Sequence, residues 1–298
     1  MTHPIATLIA TARPNFLILT VVCVLLGIAT ASQNTAIDSG LASQILITAL
    51  LAHISVNMLN EYHDFQSGLD LSTDRTPFSG GSGALPKQPE QAKTVLRTAL
   101  VLLALCILSG LYLMQKNLTL LMPLGLLGIF IVLTYTPVLN RHPIACLLSA
   151  GIGFGPIIVM GTHISLTGDL TELALLTSII PMCLVNNLLL LNQFPDIDAD
   201  RAAGRFHLLI AYGRTTGARV YALFNLVMIV GLTLLIPSMG EKPYSLLVIG
   251  VVTTAAIVLS ILVLNNANKQ QRLNQLMGPN VALTLATPVA LSILMMWN

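Results

Sequence analysis

Apolar runs of about 20 residues recur along this chain from one end to the other, each the length of helix that crosses a ~30 Å hydrocarbon layer. Nine can be traced, at approximately 16–32, 41–59, 95–114, 118–137, 143–162, 171–193, 218–237, 244–264 and 280–297. Only 9% of the side chains are charged, about a third of the roughly 25% usual for a soluble domain. A water-soluble globule is therefore excluded. Nine spans with short connections absorb nearly all of the 298 residues, so the expectation is one all-α, polytopic membrane unit over 1–298. Arg13 and Pro14 precede the first run and no small-residue cleavage pattern follows it, so the run reads as a retained span. The four cysteines lie far apart inside apolar stretches with no CxxC pair, which argues against a disulfide framework or a zinc site. A net charge of +2 gives no reason to expect a nucleic-acid partner, and nothing points to an obligate protein partner.

The few charges are distributed unevenly. With the N-terminus cytoplasmic, one side receives Arg13, Arg75, Lys87, Lys93, Arg97, Arg141, Arg201, Arg205, Arg214, Arg219, Lys269 and Arg272, and the other only Lys116 and Lys242. This positive-inside bias orients the chain in the cell membrane and supports the count of nine spans, with eight as the alternative if the last is mispaired. Of twelve acids, seven fall in two clusters: Glu61, Asp64, Asp70 and Asp74 after the second span, and Asp196, Asp198 and Asp200 after the sixth. Both clusters are expected on the cytoplasmic face. Carboxylates at the edge of the hydrocarbon are costly, and a chain poor in charge that gathers them at two points is using them.

Within the first cluster Asn60 and Asp64 are four residues apart and share a helical face. An unbroken helix turns Asp70 away, and Gly68 offers the break that brings it back. In the second, Asp196 and Asp200 again have a one-turn spacing, and Pro195 suits the first turn of a new segment. Asp198 is turned about 200° from Asp196 and is left out of the site. Asn192 stands four residues before Asp196 and repeats the polar spacing. Two sets of oxygen ligands beside arginines match the needs of a magnesium-bound diphosphate: magnesium is held by one or two carboxylates plus phosphate oxygens, and arginine supplies charge-assisted bonds to the rest. The bland reading is a pair of solvated loops; the matched spacing beside apolar spans favours ligands.

These residues resemble the UbiA superfamily of intramembrane prenyltransferases. Asn60-x3-Asp64-x5-Asp70 resembles the first aspartate-rich motif in the spacing of the 1,4-dihydroxy-2-naphthoate (menaquinone) branch. Asp196-x3-Asp200 with Arg201 and Gly204-Arg205 is similar to the second, and Tyr212-Gly213-Arg214 to the Leu-Gly-Arg after it. Arg13-Pro14 matches the opening of the first helix, and Tyr135-Thr136 and Gly153-x-Gly155-Pro156 echo the middle of the family. Glu61 departs from the pattern where many members carry Asp. The stretch Thr76 to Pro86 is not the usual menaquinone-branch loop, and Pro143 to Leu148 lacks the Gly-Glu commonly found there. Those departures bear on the aromatic acceptor more than on the chemistry.

The resemblance implies a nine-helix bundle around a central cavity with a cytoplasmic cap, open laterally to the bilayer for an isoprenoid tail. It implies transfer of a polyprenyl group from its diphosphate to a small aromatic acceptor, 1,4-dihydroxy-2-naphthoate or else 4-hydroxybenzoate. Asn60, Asp64, Asp70, Asp196 and Asp200 form the expected Mg2+ set, the four aspartates being the catalytic ones. Arg13, Asn60, Arg75, Asn192, Arg201, Arg205 and Arg214 are the expected substrate contacts. Gly80 to Gly83 reads as a mobile part of the cap, since no Gly-Lys-Ser/Thr follows it. Tyr62, Phe65 and Tyr135 suit interfacial anchoring, with stabilisation of a cation by their ring faces as the alternative. His63 and His207 are given no role, and His53 is expected only to bond a neighbouring helix. The competing class is a cation-coupled transporter, which predicts charges near the midplane and an inverted repeat; neither is visible.

Overall fold

The structure is a computed structural model describing residues 4–72, 80–239 and 243–297, and among these every regular element is helical. In chain order the helices are α1 (Pro4–Ala12), α2 (Pro14–Ala31), α3 (Ser39–Gln66), α4 (Leu69–Ser72), α5 (Ala84–Lys87), α6 (Ala92–Leu113), α7 (Leu118–Thr134), α8 (Pro143–Ile152), a π-helical segment (Gly153–Met160) running into α9 (Gly161–Thr167), α10 (Glu172–Asn192), α11 (Ile197–Ala202), α12 (Leu208–Leu235), α13 (Pro243–Asn265) and α14 (Gln270–Met296). Eight of the resulting rods are long and apolar enough to cross a membrane. The ninth expected span is α7, whose 17 residues make about 26 Å of helix at 1.5 Å per residue. The protein is thus a multi-pass membrane bundle. Several spans outrun their apolar runs: α3 carries the first cluster as far as Asp64 in helical form, and α12 and α14 begin ten residues before the hydropathy rises.

Connections at the two ends identify the two faces. At one end Asn117 donates to the carbonyl of Gly168 at 2.8 Å, and Gln33 to that of Met295 at 2.7 Å. At the other, Phe206 N–H donates to the Asn140 carbonyl at 2.9 Å, and Arg13 meets Glu61. Both acidic clusters occupy this second end.

Helix α10 is the axle of the bundle, with Ile180, Cys183, Leu184, Leu190 and Leu191 sealed against α2, α12 and α14. The π-helical segment follows from its sequence. Pro156 has no N–H to give the α ladder, while Gly151 and Gly155 let α10 approach so closely that a Cβ on either would lie 2.3 Å from an α10 oxygen, of Asn186 and Ser178 respectively. Asn186 Oδ1 accepts the Gly151 N–H at 2.9 Å. The outer faces of α6, α7 and α13 expose leucine and valine, Leu108, Leu126 and Leu247 among them, as a lipid-facing surface requires. Helix α1 lies below the length of a span and was not foreseen; it presents Ile5 and Ile9 outward and buries Thr7 and Thr11.

Candidate active site

Helix α3 lays a polar stripe along one side of a cavity of about 730 Å³: His53, Asn57, Asn60 and Asp64 all line it, spaced 4, 3 and 4 residues apart, the recurrence of a single helical face. The helix stops at Gln66 because Gly68 takes φ 79°, a left-handed turn that glycine adopts without cost. The short α4 then swings Asp70 back to the same cavity, as the sequence suggested. Asn60 is held in orientation by Thr136, whose hydroxyl donates to its Oδ1 at 2.9 Å. His53 shares a 2.7 Å hydrogen bond with Thr20 of α2, the interhelical bond expected of it, and sets its ring edge-on to Phe154 at 5.0 Å.

The second cluster is assembled from a break. Helix α10 ends at Asn192, and Asp196 stands at the N-cap of α11 rather than inside a helix; the Asp200 N–H donates to its carbonyl at 2.7 Å. Gly204, at φ 80°, reverses the chain so that Arg205 folds back over its own cluster. Arg205 Nη1 donates to Asp200 Oδ1 at 2.9 Å, and Nη2 reaches Asp64 Oδ1 on α3. One guanidinium therefore bridges the two clusters. Burial works against its charge, but the Asp64 and Asp200 carboxylates outweigh that and hold its pKa above the ordinary arginine value. His207 Nε2 lies 3.1 Å from Asp200 Oδ2, a contact the sequence reading did not anticipate.

A third assembly was also unforeseen. Pro14 bars the preceding residue from the right-handed helical region, and Arg13 takes φ 52°, ψ 62° between α1 and α2. That conformation carries its side chain to Glu61, which is fully buried and accepts from Arg13 Nε at 2.7 Å. Asn57 Nδ2 donates to the Ala12 carbonyl beside the same break at 3.0 Å. Glu61 also accepts from Ser82 N–H at 2.7 Å and Ser82 Oγ at 2.6 Å. Gly81 crosses above it at φ 72°, where a Cβ would stand 2.8 Å from Asp70 Oδ1. The Gly-Gly-Ser-Gly segment expected to be mobile is tied down at Ser82.

Of the expected site residues, Arg13, Asn60, Asp64, Asp70, Asn192, Asp196, Asp200 and Arg205 all line the one cavity. Arg201 does not: it points to solvent and pairs with the exposed Asp198 at 3.5 Å. Arg214 lies beyond a kink at Gly213 (φ 81°), donates to Gln270 at 2.7 Å and sits over the Phe194 ring. Arg75 lies outside the described residues. Away from the acids the cavity becomes apolar, and Leu111, Leu118, Met122 and Leu126 of α6 and α7 line it while also being exposed on the outer surface. It therefore opens sideways toward lipid.

A magnesium site here would be made only of oxygen donors, and Asn192 Oδ1 is buried at the cavity wall without a hydrogen-bond partner. Among the described residues no three acidic, histidine or cysteine side chains converge closely enough to hold a metal by themselves. Both observations fit an ion that takes one or two carboxylates and completes its shell with phosphate.

A sequence model described as the UbiA prenyltransferase family matches residues 20–280. The 1,4-dihydroxy-2-naphthoate octaprenyltransferase of Bacillus subtilis (strain 168) is 32% identical over 205 residues, which cover 67% of this chain and 64% of that protein. The enzyme of the same name from Escherichia coli (strain K12) is 28% identical over 220 residues, 70% of each chain. In fold, the chain is similar to a solved UbiA homolog from Archaeoglobus fulgidus bound to DMAPP and Mg2+, with a TM-score of 0.69 at 11% identity over 96% of this chain and 98% of that one.

Proposed function

The chain belongs to the UbiA prenyltransferase family, and from that premise we propose that it moves a polyprenyl group from an allylic polyprenyl diphosphate to 1,4-dihydroxy-2-naphthoate, with Mg2+ as cofactor. The observation that carries this reading is the meeting of Asn60, Asp64 and Asp70 with Asp196 and Asp200 at the polar end of one apolar cavity. A diphosphate needs the first environment and an isoprenoid tail the second. The names of the Bacillus and Escherichia relatives support the choice of acceptor. The basic residues favour an orientation with the N-terminus and both clusters in the cytoplasm.

Asn60, Asp64, Asp70, Asp196 and Asp200 are the residues that would hold the metal, with Asn192 beside them. Bound there, Mg2+ supplies charge neutralisation for the departing diphosphate. Arg13 and Arg205 face the same end and donate to phosphate oxygens. As the allylic carbon–oxygen bond breaks, the electron pair leaves with the diphosphate; the resulting allylic cation is attacked by the electron-rich ring, and the attacked ring carbon then gives up its own substituent, a proton to solvent or the carboxylate as CO2, which restores the aromatic ring. The apolar walls from Leu103 to Ile158 keep water from that cation. Catalysis is then stabilisation of the leaving group plus exclusion of water.

The test is conversion of labelled farnesyl or geranylgeranyl diphosphate by membranes carrying the protein, with candidate aromatic acids and product identification by mass. Asp64→Ala and Asp196→Ala abolish transfer while insertion persists. Magnesium-dependent transfer surviving in both variants refutes the mechanism; a product formed only from 4-hydroxybenzoate refutes the acceptor and leaves the mechanism standing.

A further inference from the structure

We infer that Arg205 is the built-in counter-cation of the two aspartate clusters, so that this protein discriminates against a bare divalent ion and admits metal only together with a diphosphate. The inference rests on the reading of the site as a metal-diphosphate site. Asp64 and Asp200 are both almost wholly buried and come from separate elements, α3 and α11. Two carboxylates facing one cavity at low dielectric repel each other unless a cation stands between them. Here that cation is the protein's own. The two terminal nitrogens of Arg205 are divided, one to each cluster, instead of forking onto a single carboxylate. The arrangement is set by backbone: Gly204 at φ 80° turns the chain, and the Arg205 N–H donates to the Asp200 carbonyl at 2.9 Å. His207 holds the second oxygen of Asp200 at 3.1 Å.

A divalent ion arriving alone must take the same oxygens from a guanidinium whose side chain keeps only 21% of its exposure and is then left without an anion, which is costly even after water screens part of the charge. An ion arriving with diphosphate brings that guanidinium a new partner, because phosphate oxygens suit it at least as well as carboxylate. Arg205 therefore transfers its bonds from Asp64 and Asp200 to the diphosphate as the ion takes over the carboxylates. Removing the guanidinium changes two affinities in opposite directions: bare metal binds better and the metal-diphosphate pair binds worse. A salt bridge serving only to hold the fold together gives no such crossing.

The experiment is titration of the purified full-length protein in detergent with Mn2+, followed by electron paramagnetic resonance of the free ion, with and without inorganic pyrophosphate. In the unmodified protein pyrophosphate raises Mn2+ affinity by about tenfold or more, the ordinary range for coupled ligands. In Arg205→Gln the affinity for Mn2+ alone rises about tenfold and most of the enhancement by pyrophosphate is lost. An Arg205→Gln protein that binds Mn2+ alone no more tightly than the unmodified one, while pyrophosphate still enhances binding, overturns the inference and leaves the site reading intact. Absence of any pyrophosphate enhancement in the unmodified protein overturns the site reading and the inference with it. If Arg205→Gln does not fold, Arg205→Lys carries the test. Lysine keeps the charge but not the planar guanidinium that fixes one nitrogen on each carboxylate, so Mn2+ affinity without pyrophosphate rises there too, and an unchanged affinity refutes the idea.

Discussion

The bond between Arg13 and Glu61 is the point at which the entry of the chain, the first motif and the cap are fastened together, and its strength can be predicted. Glu61 has no solvent exposure and accepts from Arg13 Nε at 2.7 Å, from Arg13 Nη2, and from Ser82 N–H and Oγ at 2.7 and 2.6 Å. Removing one member of a buried ion pair costs about 3–5 kcal/mol, since the other is left charged and unpaired. The Arg13 side chain keeps 21% of its exposure, so water recovers part of the loss and Glu61→Ala is expected near the lower bound, at about 3 kcal/mol. Arg13→Ala costs a similar amount by stranding the carboxylate, even with Ser82 still attached. Most of each loss is the same interaction, so the double variant costs only about 4 kcal/mol, a coupling of about 2 kcal/mol. For a chain of this size 1 kcal/mol moves the melting temperature by about 2 °C. Thermal unfolding in detergent should then fall by about 6 °C in either single variant and about 8 °C in the double. A double variant that falls by about 12 °C shows the two residues to be independent. Single variants within about 1 °C of the unmodified protein show the pair to contribute nothing. Either result refutes the fastening.

Three further outcomes follow from the geometry. Thr136→Val removes the 2.9 Å bond that orients Asn60; losing about 1 kcal/mol raises the KM for the prenyl diphosphate several-fold at low Mg2+ while saturating Mg2+ restores the rate, and a rate defect that Mg2+ cannot restore contradicts a positioning role. Gly155→Ala places a methyl 2.3 Å from the Ser178 carbonyl and costs about 1–3 kcal/mol by overpacking, whereas Gly153→Ala, with nothing within 4 Å, leaves the unfolding temperature unchanged; equal effects at the two positions discredit the close contact with α10. Chelation of divalent ions with EDTA stops diphosphate release in membranes, and added Mg2+ restores it; turnover that persists in EDTA argues against metal assistance.

What the sequence discloses depends on how local the governing physics is. The spans are visible because the bilayer fixes a length and a hydropathy that each stretch must meet by itself. The shared face of Asn60 and Asp64, and the break at Gly68 that returns Asp70, follow from helical period and from glycine's freedom at positive φ. Glu61 is hidden for the opposite reason. It is the neighbour of Asn60, so helical phase turns it off the cavity face, and its partners Arg13 and Ser82 stand 48 and 21 positions away. No periodicity links them. Asp196 is intermediate: its spacing from Asp200 is that of a helical turn, yet it serves as the N-cap and reaches the cavity through a loop.

The arginines show most sharply where local reasoning stops. Arg201, Arg205 and Arg214 all follow the second cluster within 18 residues of Asp196, and by charge and proximity nothing separates them. Helical phase turns Arg201 toward Asp198, its neighbour at i−3, in a solvent-exposed pair that contributes little. Arg214 is carried onto Gln270 by the kink at Gly213. Arg205 alone is returned to the acids, because the left-handed Gly204 stands directly before it and α12 does not begin until Leu208. The signal that selects it is therefore the glycine rather than the charge. A reversal between a short helix and the next span brings the following side chain back over the residues just passed, and a cation there meets the carboxylates of its own cluster and, across the cavity, Asp64. An Arg205 preceded by alanine would lose that reversal. Gly204→Ala should accordingly weaken the bridge without touching any charge, and lower the pyrophosphate enhancement of Mn2+ binding in the same direction as loss of the guanidinium itself. If Gly204→Ala leaves that enhancement intact, the backbone turn is not what aims Arg205.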